Sequence, residues 1–367
     1  MSGRVLSFPS RYLSSEEGRV ASAAILETPI GDRTGRTNQL RLDDPETLLA
    51  TCACLRESLE TTPAVAREEA EFFYRFLEKP KRPIGLFDER DYFLGELALI
   101  AGTACRVLSR RDEARRWFDR SESFFRHTVN AVSEWSRLTY QRLSLRVEER
   151  HFEDVLELLP SLADSFEKLE MEEDALKCSF LEGIILMETD RLPQAISLYR
   201  EIYRRASTLG AHRLAATASY NMVQIHGMLG DADSALSEAA VAVPLLRRLD
   251  NRVGLAKIQW GLGGLLRTQG KLEAAIENYR AAQGEFRDIG MRADLAALHL
   301  VIADLLIERG EEAHAMSEVL AALPIIEEEK MVPEGMAALA LLRESVRAQR
   351  LNRQALRDLH GYFEELA

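Results

Sequence analysis

The stretch Trp260-Gly-Leu-Gly-Gly-Leu-Leu-Arg-Thr-Gln-Gly-Lys-Leu-Glu-Ala-Ala-Ile-Glu-Asn-Tyr279 decides the fold. Gly270 separates two segments of helical periodicity. Downstream of it, Leu272, Ala275, Ile276, Tyr279, Ala282 and Phe286 line one face over 272–289, a spacing that a half-buried strand does not give. A glycine just past a helix end takes the left-handed conformation that strains any side chain. The stretch therefore reads as a helix, a glycine turn and a second, antiparallel helix.

Outward from Gly270, the pattern recurs every 40 residues. One family of turns reads Leu169-Glu170-Met171, Leu209-Gly210-Ala211, Leu249-Asp250-Asn251, Ile289-Gly290-Met291 and Glu329-Lys330-Met331. A second falls halfway between, at Asp190-Arg191, Gly230-Asp231, Gly270-Lys271 and Gly310-Glu311. Each repeat is thus two helices, A then B. Alanine recurs early in helix B at Ala195, Ala235, Ala275, Ala315 and Ala355, and twelve positions before it helix A carries Gly183, Val223, Gly263 and Ala303. Closely crossing helices need small side chains where they touch.

Small residue, glycine turn, then alanine resembles the skeleton of the tetratricopeptide repeat, most clearly over 171–330. The usual period is about 34 residues, so each helix here is about a turn longer. Long repeats of this kind resemble those of kinesin light chains and of peptide-sensing regulators. The resemblance implies an all-α fold, a right-handed α-α superhelix or solenoid of about seven helix pairs over 87–367, behind a small helical N-terminal region. Units fall near 91–130, 131–170, 171–210, 211–250, 251–290 and 291–330, with 331–367 as a shorter closing pair. There Ala355 is kept but Arg343 replaces the small residue, as suits a cap with one wet face.

Pro244 and Pro324 share one phase of helix B, and Pro160 lies four residues earlier in its own unit. An interior proline removes a hydrogen bond and crowds the preceding turn, so kinked B helices are predicted. Before the repeats, residues 1–43 form an N-terminal segment with a weak helix over 11–26 and a flexible linker or exposed loop over 28–38. Asp44-Pro45 and Thr62-Pro63 are helix starts, and Lys79-Pro-Lys-Arg-Pro-Ile-Gly85 breaks the chain. Residues 44–86 are therefore predicted as a helical hairpin or small bundle.

Hydrophobic residues make up 46% of the 367, enough to bury a core. No run of about 18 apolar residues occurs, so no membrane span is predicted, and the start lacks a recognisable signal peptide. The net charge of −12 disfavours a polyanionic partner such as nucleic acid. One basic cluster, Arg106, Arg110, Arg111, Arg115, Arg116 and Arg120, is interleaved with Asp112, Glu113 and Asp119 and reads as a solvated helix surface. Cys52, Cys54, Cys105 and Cys178 fit neither a zinc site nor a redox pair and read as packing residues of a cytoplasmic protein.

No catalytic constellation is legible. The seven histidines show no metal-site spacing, and there is no phosphate-binding loop, nucleophile elbow or dinucleotide fingerprint. His226 takes a place held by Leu186, Leu266 and Leu306 in other repeats and reads as a core histidine. No enzyme activity, cofactor or metal is predicted.

The repeat register implies that A helices line a concave groove. Projected onto this chain, it puts Tyr140, Phe180, Tyr220 and Trp260 at one equivalent position, followed by Leu300. This row is either an aromatic ladder gripping a partner or buried core. Polar companions on the same face are Lys177, Asn221, Gln224, Lys257, Arg267 and Asp304. Asn221 and Lys257 resemble part of a carboxylate clamp, but Phe180, Ile184 and Gly261 occupy its other positions. The leading functional reading is a non-enzymatic scaffold or adaptor that binds a partner protein or peptide. The alternative is a peptide-sensing regulator whose N-terminal bundle and repeats change conformation. Partners exclude nucleic acid and membrane in either reading, and a homo-oligomer through the arginine-rich first repeat stays open.

Overall fold

The computed structural model describes residues 16–33, 44–59, 61–79, 90–128, 131–328, 339–340, 342–346 and 351–366, and their regular elements are α-helices. The chain divides into two compact units, 1–146 and 147–367.

The first unit contains α1 (Glu16–Leu26), α2 (Ile30–Arg33), α3 (Pro45–Ser58), α4 (Pro63–Glu78), α5 (Arg90–Val107), α6 (Arg111–Phe125) and most of α7 (Val132–Glu148). Asp44 caps α3 as predicted, accepting the Thr47 N–H at 2.9 Å. Thr62 makes no such bond, and α4 begins on Pro63 without a side-chain cap. Leu48, Cys52 and Leu55 of α3, Phe73 and Leu77 of α4, Phe93 and Leu97 of α5 and Phe118 of α6 share one apolar core. Most of the predicted break at 79–85 lies outside the described residues, but Arg90 beyond it donates to the Leu77 and Glu78 carbonyls at the end of α4. Glu329, Lys330 and Met331 also lie outside the described residues.

Residues 29–32 are exposed, as expected of this stretch, but Ile30–Arg33 form a short helix, and Thr28 and Arg33 are buried. Arg33 is 1% exposed and donates to both carboxylate oxygens of Glu69 on α4, as well as to the Thr28 carbonyl at 2.6 Å. A carboxylate buried on α4 is tolerable only with an opposite charge and several donors, which the guanidinium fork supplies. The partner is 36 residues away, so no local pattern announces it. The rest of that predicted loop, 34–38, lies outside the described residues. The basic cluster behaves as a solvated surface: Arg115 pairs with Asp112 at 2.7 Å, and Arg120 lies 4.5 Å from the Trp117 ring centre.

The second unit is a regular helical solenoid of α8 (Phe152–Lys168), α9 (Glu172–Glu188), α10 (Leu192–Leu209), α11 (His212–Met228), α12 (Ala232–Arg248), α13 (Arg252–Thr268), α14 (Leu272–Ile289), α15 (Arg292–Glu308), α16 (Glu312–Glu328) and α17 (Arg353–Leu366). From α8 to α16 each helix packs on the next in sequence, and the A helices also stack, α9 on α11 and α11 on α13. A left-handed residue recurs every 20 positions, at 150, 170, 190, 210, 230, 250, 270, 290 and 310. From 170 onward the next N–H returns to the carbonyl five residues back, as in Arg191 to Leu186 at 2.8 Å and Met291 to Phe286 at 2.9 Å. These bonds satisfy helix-end carbonyls while the chain reverses. Glycine is not obligatory: Arg150, Glu170, Asp190 and Asp250 adopt the same conformation.

The five recurrent alanines of helix B are fully buried. The small residues of helix A serve a different neighbour from the one their spacing suggests. Gly183 faces the ring of Tyr199, and Gly263 that of Tyr279. Pro160, Pro244 and Pro324 lie inside helices that continue through them. Helix α15 is buried on nearly every side, because α14, α16 and α17 all cover it.

Candidate functional site

The predicted groove residues separate into buried, paired and accessible groups. Tyr140 belongs to the first unit and is half-buried; the others belong to the second. Phe180 and Tyr220 are buried, as is Leu300, and Phe180 meets Tyr199 edge-on with ring centres 5.2 Å apart. The longer helices of this repeat enclose those rings, so the row as a whole is not a free ladder. Trp260 is the half-buried member in this unit, with its ring 5.8 Å from Phe286 and nearly perpendicular to it. Asn221 is buried beside Tyr220 in sequence, whereas Gln224 is half-buried and hydrogen-bonds the Tyr220 hydroxyl.

Arg267 and Asp304 are spent on each other. Asp304 is buried and accepts from Arg267 at 2.7 Å, Arg353 at 2.5 Å and Arg357 at 3.4 Å. Burial alone would raise its carboxyl, but the Arg353, Arg357 and Arg267 guanidiniums outweigh that and hold it below the ordinary carboxylate range. The cluster fastens α17 to α15. Lys177 is likewise paired, with Asp174 at 3.0 Å and Glu173 at 3.2 Å.

The residue that sequence reasoning missed is Asp294, in the first turn of α15. Its carboxylate is 1% exposed, and neither oxygen has a hydrogen-bond partner among the described residues. Burial raises its pKa to about 6, with the Lys257 ammonium on α13 and then the residue's own backbone N–H pulling the other way. Asp294 in turn lies within electrostatic reach of the Tyr220 hydroxyl on α11, whose pKa is raised first by burial and then by that carboxylate. Tyr220, Lys257 and Asp294 are each 37 residues apart, the same interval that joins Arg267 to Asp304. One repeat less about a turn is thus a cross-helix register, and it is the signal that would have found Asp294. Trp260 follows Lys257 by three residues and Gln224 follows Tyr220 by four, so each pair shares one side of its helix.

Elsewhere some polar groups are occupied, while His226 Nδ1 and Gln259 Oε1 have no hydrogen-bond partner among the described residues. His299 Nδ1 lies 2.7 Å from Glu318, with Gln283 bonding both. His226 is buried with Nδ1 3.5 Å from Asp231. Burial pushes the Cys52, Cys105 and Cys178 thiols up to about 12, which suits packing rather than nucleophilic use. Among the described residues no group of His, Cys, Asp and Glu is arranged to hold a metal, and no helix is long and apolar enough to cross a membrane.

No family model matches the chain, and no curated protein does. Solved structures do. The chain is similar to a Rap protein in complex with competence and sporulation factor, with a TM-score of 0.57, 13% identity, and coverage of 96% of this chain and 100% of that one. At that identity the likeness establishes a shared all-α helical-repeat fold.

Proposed function

We propose that this chain is a non-enzymatic binding protein that takes a peptide, or an extended segment of a partner protein, against the A helices of its second unit. The observation that carries this reading is the set formed by Gln224 and Tyr220, Lys257 and Trp260, and Asp294 on α11, α13 and α15. It combines a half-exposed aromatic, an unpaired cation–anion couple and an amide. Such a mixture grips main-chain and side-chain groups together; Gln224 is engaged with the Tyr220 hydroxyl and Trp260 packs on Phe286, while Lys257 and Asp294 form no hydrogen bond with each other. The structural neighbour's complex with a factor supports the reading. In this reading the protein is cytoplasmic, needs no cofactor, and has neither nucleic acid nor membrane as partner, in keeping with its net charge of −12.

The test is selection from a random-peptide display library on the immobilised full chain. Recovered peptides should lose at least about tenfold in affinity for Trp260→Ala, the loss of a central aromatic anchor. Failure to enrich any sequence, or equal affinity for the variant, would exclude this face as the binding surface.

A second reading, that of a peptide-sensing regulator, is favoured by one observation. The ion pair between Arg56 of α3 and Glu96 of α5 ties the N-terminal helices to the first repeat hairpin within one unit. A ligand-driven rearrangement would compact the chain, so X-ray scattering with a selected peptide separates the readings: a smaller radius of gyration supports the regulator, an unchanged one the scaffold.

A further inference from the structure

Asp294 differs from the other buried carboxylates of the second unit. Asp304 is met by three arginines, and Glu318 by His299 and Gln283. Asp294 is 1% exposed with both oxygens unbonded among the described residues. Buried polar groups are nearly always satisfied, so an orphan needs a partner that the folded chain does not itself provide. Protonation does not answer the need, since it removes the charge but leaves both oxygens without a bond. Lys257 on α13 is the cation within electrostatic reach, half-buried and not bonded to Asp294. Its four-carbon stem lets the ammonium withdraw to water when another cation arrives.

We infer that Asp294 is the floor of a subsite for a cationic group of the bound peptide, entered beside Lys257 and Trp260 between α11, α13 and α15. Two unbonded oxygens on one carboxylate match the paired donors of a guanidinium, and an ammonium donates to them singly. The chemistry is that of an arginine or lysine side chain, or of a free amino terminus. The inference rests on the peptide-binding reading of this face and specifies what that face selects.

The experiment uses three pools of synthetic octapeptides on the immobilised full chain, with retention read by mass spectrometry. One pool is N-acetylated and carries arginine at a fixed position in a background free of Lys and His. The second replaces that arginine with citrulline, which keeps the shape and removes the charge. The third is the citrulline pool with free amino termini. Wild type is expected to retain the arginine pool, or the free-amine pool, at least about tenfold over the acetylated citrulline pool, the size expected of a charge-assisted pair. Whichever pool is favoured identifies the source of the cation. Asp294→Asn, of the same shape, should bring that ratio to about one. Lys257→Met provides a second variant on a half-buried side chain, and it should raise retention of the favoured pool by removing a competing cation. Equal retention of all pools by wild type overturns the subsite while leaving peptide binding intact. So does a preference that survives in Asp294→Asn, or one that weakens in Lys257→Met. Retention of no pool overturns the peptide-binding reading itself, and the subsite with it.

Discussion

A methyl group placed on Gly263 would lie 2.7 Å from Cδ1 of Tyr279, so the ring of helix B occupies the space that a side chain on helix A would need. The same offset of 16 residues joins Gly183 to Tyr199 and Gly102 to Phe118. At the equivalent positions of the 211–250 and 291–330 repeats stand Val223 with Ala239 and Ala303 with Val319, all buried, whereas the 131–170 repeat carries Leu143 and Leu159 and departs from this alternation. In the hairpins of Gly102, Gly183 and Gly263 small and large side chains share one slot, as close packing demands.

Gly263→Ala should therefore destabilise the protein by about 1–3 kcal/mol through overpacking. Gly263→Val combined with Tyr279→Ala copies the Val223–Ala239 pair and should be more stable than Gly263→Val alone. Urea midpoints at constant slope measure both. Additive effects in the double variant would contradict the shared slot.

The hairpin turns make a second prediction, because side-chain-bearing residues hold left-handed conformations at Glu170 and Asp250 while Gly270 does so at no steric cost. Glu170→Gly should stabilise by roughly 0.5–1 kcal/mol, and Gly270→Ala should destabilise by about 1–2 kcal/mol. No atom lies within 4 Å of the position a Gly270 side chain would take, so the cost is conformational and not a clash. Thermal denaturation of the two variants should show shifts of opposite sign.

Asp294 predicts a pH dependence of stability. Its folded pKa of about 6 lies above the ordinary 3.8, so folding favours the protonated form. The penalty is complete above about pH 6 and fades as pH falls towards 3.8. Its size is on the order of 3 kcal/mol at most. Asp294→Asn should raise stability at pH 7 by up to that amount and change it little near pH 4. An equal gain at both pH values would mean that the ionised carboxylate is not the cause.

His360 acts in the opposite sense. Burial, then the Arg267 charge, lower its pKa from 6.5 to about 4, against a smaller pull from Asp304. The folded state prefers the neutral ring, so its contribution is complete above pH 6.5 and is lost as pH falls through 4, on the order of 3 kcal/mol in all. Hydrogen exchange should detect this as early loss of protection over residues 353–360 on acidification. His360→Gln should remove the dependence; protection that persists unchanged at pH 4 in wild type would refute it.

Much of the fold was legible because its determinants are local. The αL positions at Gly210, Gly230, Gly270, Gly290 and Gly310, the buried alanines and the cap at Asp44 each depend on a few neighbouring residues. Arg150 takes the same conformation without a glycine to mark it, and Thr62 fails to cap although its type suits the role. The candidate site was legible only in part. Tyr220, Gln224, Lys257 and Trp260 were found by register, whereas Asp294 was not, because an aspartate in a first helical turn ordinarily reads as a partner of the helix dipole.

The sequence by itself determined the helices, their forty-residue period and the order of hairpins, since hydrophobic spacing, turn chemistry and residue size act over one or two helices. Only the tertiary structure decided which polar groups remain available. Phe180 and Tyr220 are enclosed, Arg267 is consumed by Asp304, Arg33 is drawn onto Glu69, and Asp294 is left without a partner. Those outcomes depend on distance and desolvation between side chains some 36 or 37 residues apart, quantities set by how helices stack and carried by no pattern along the chain.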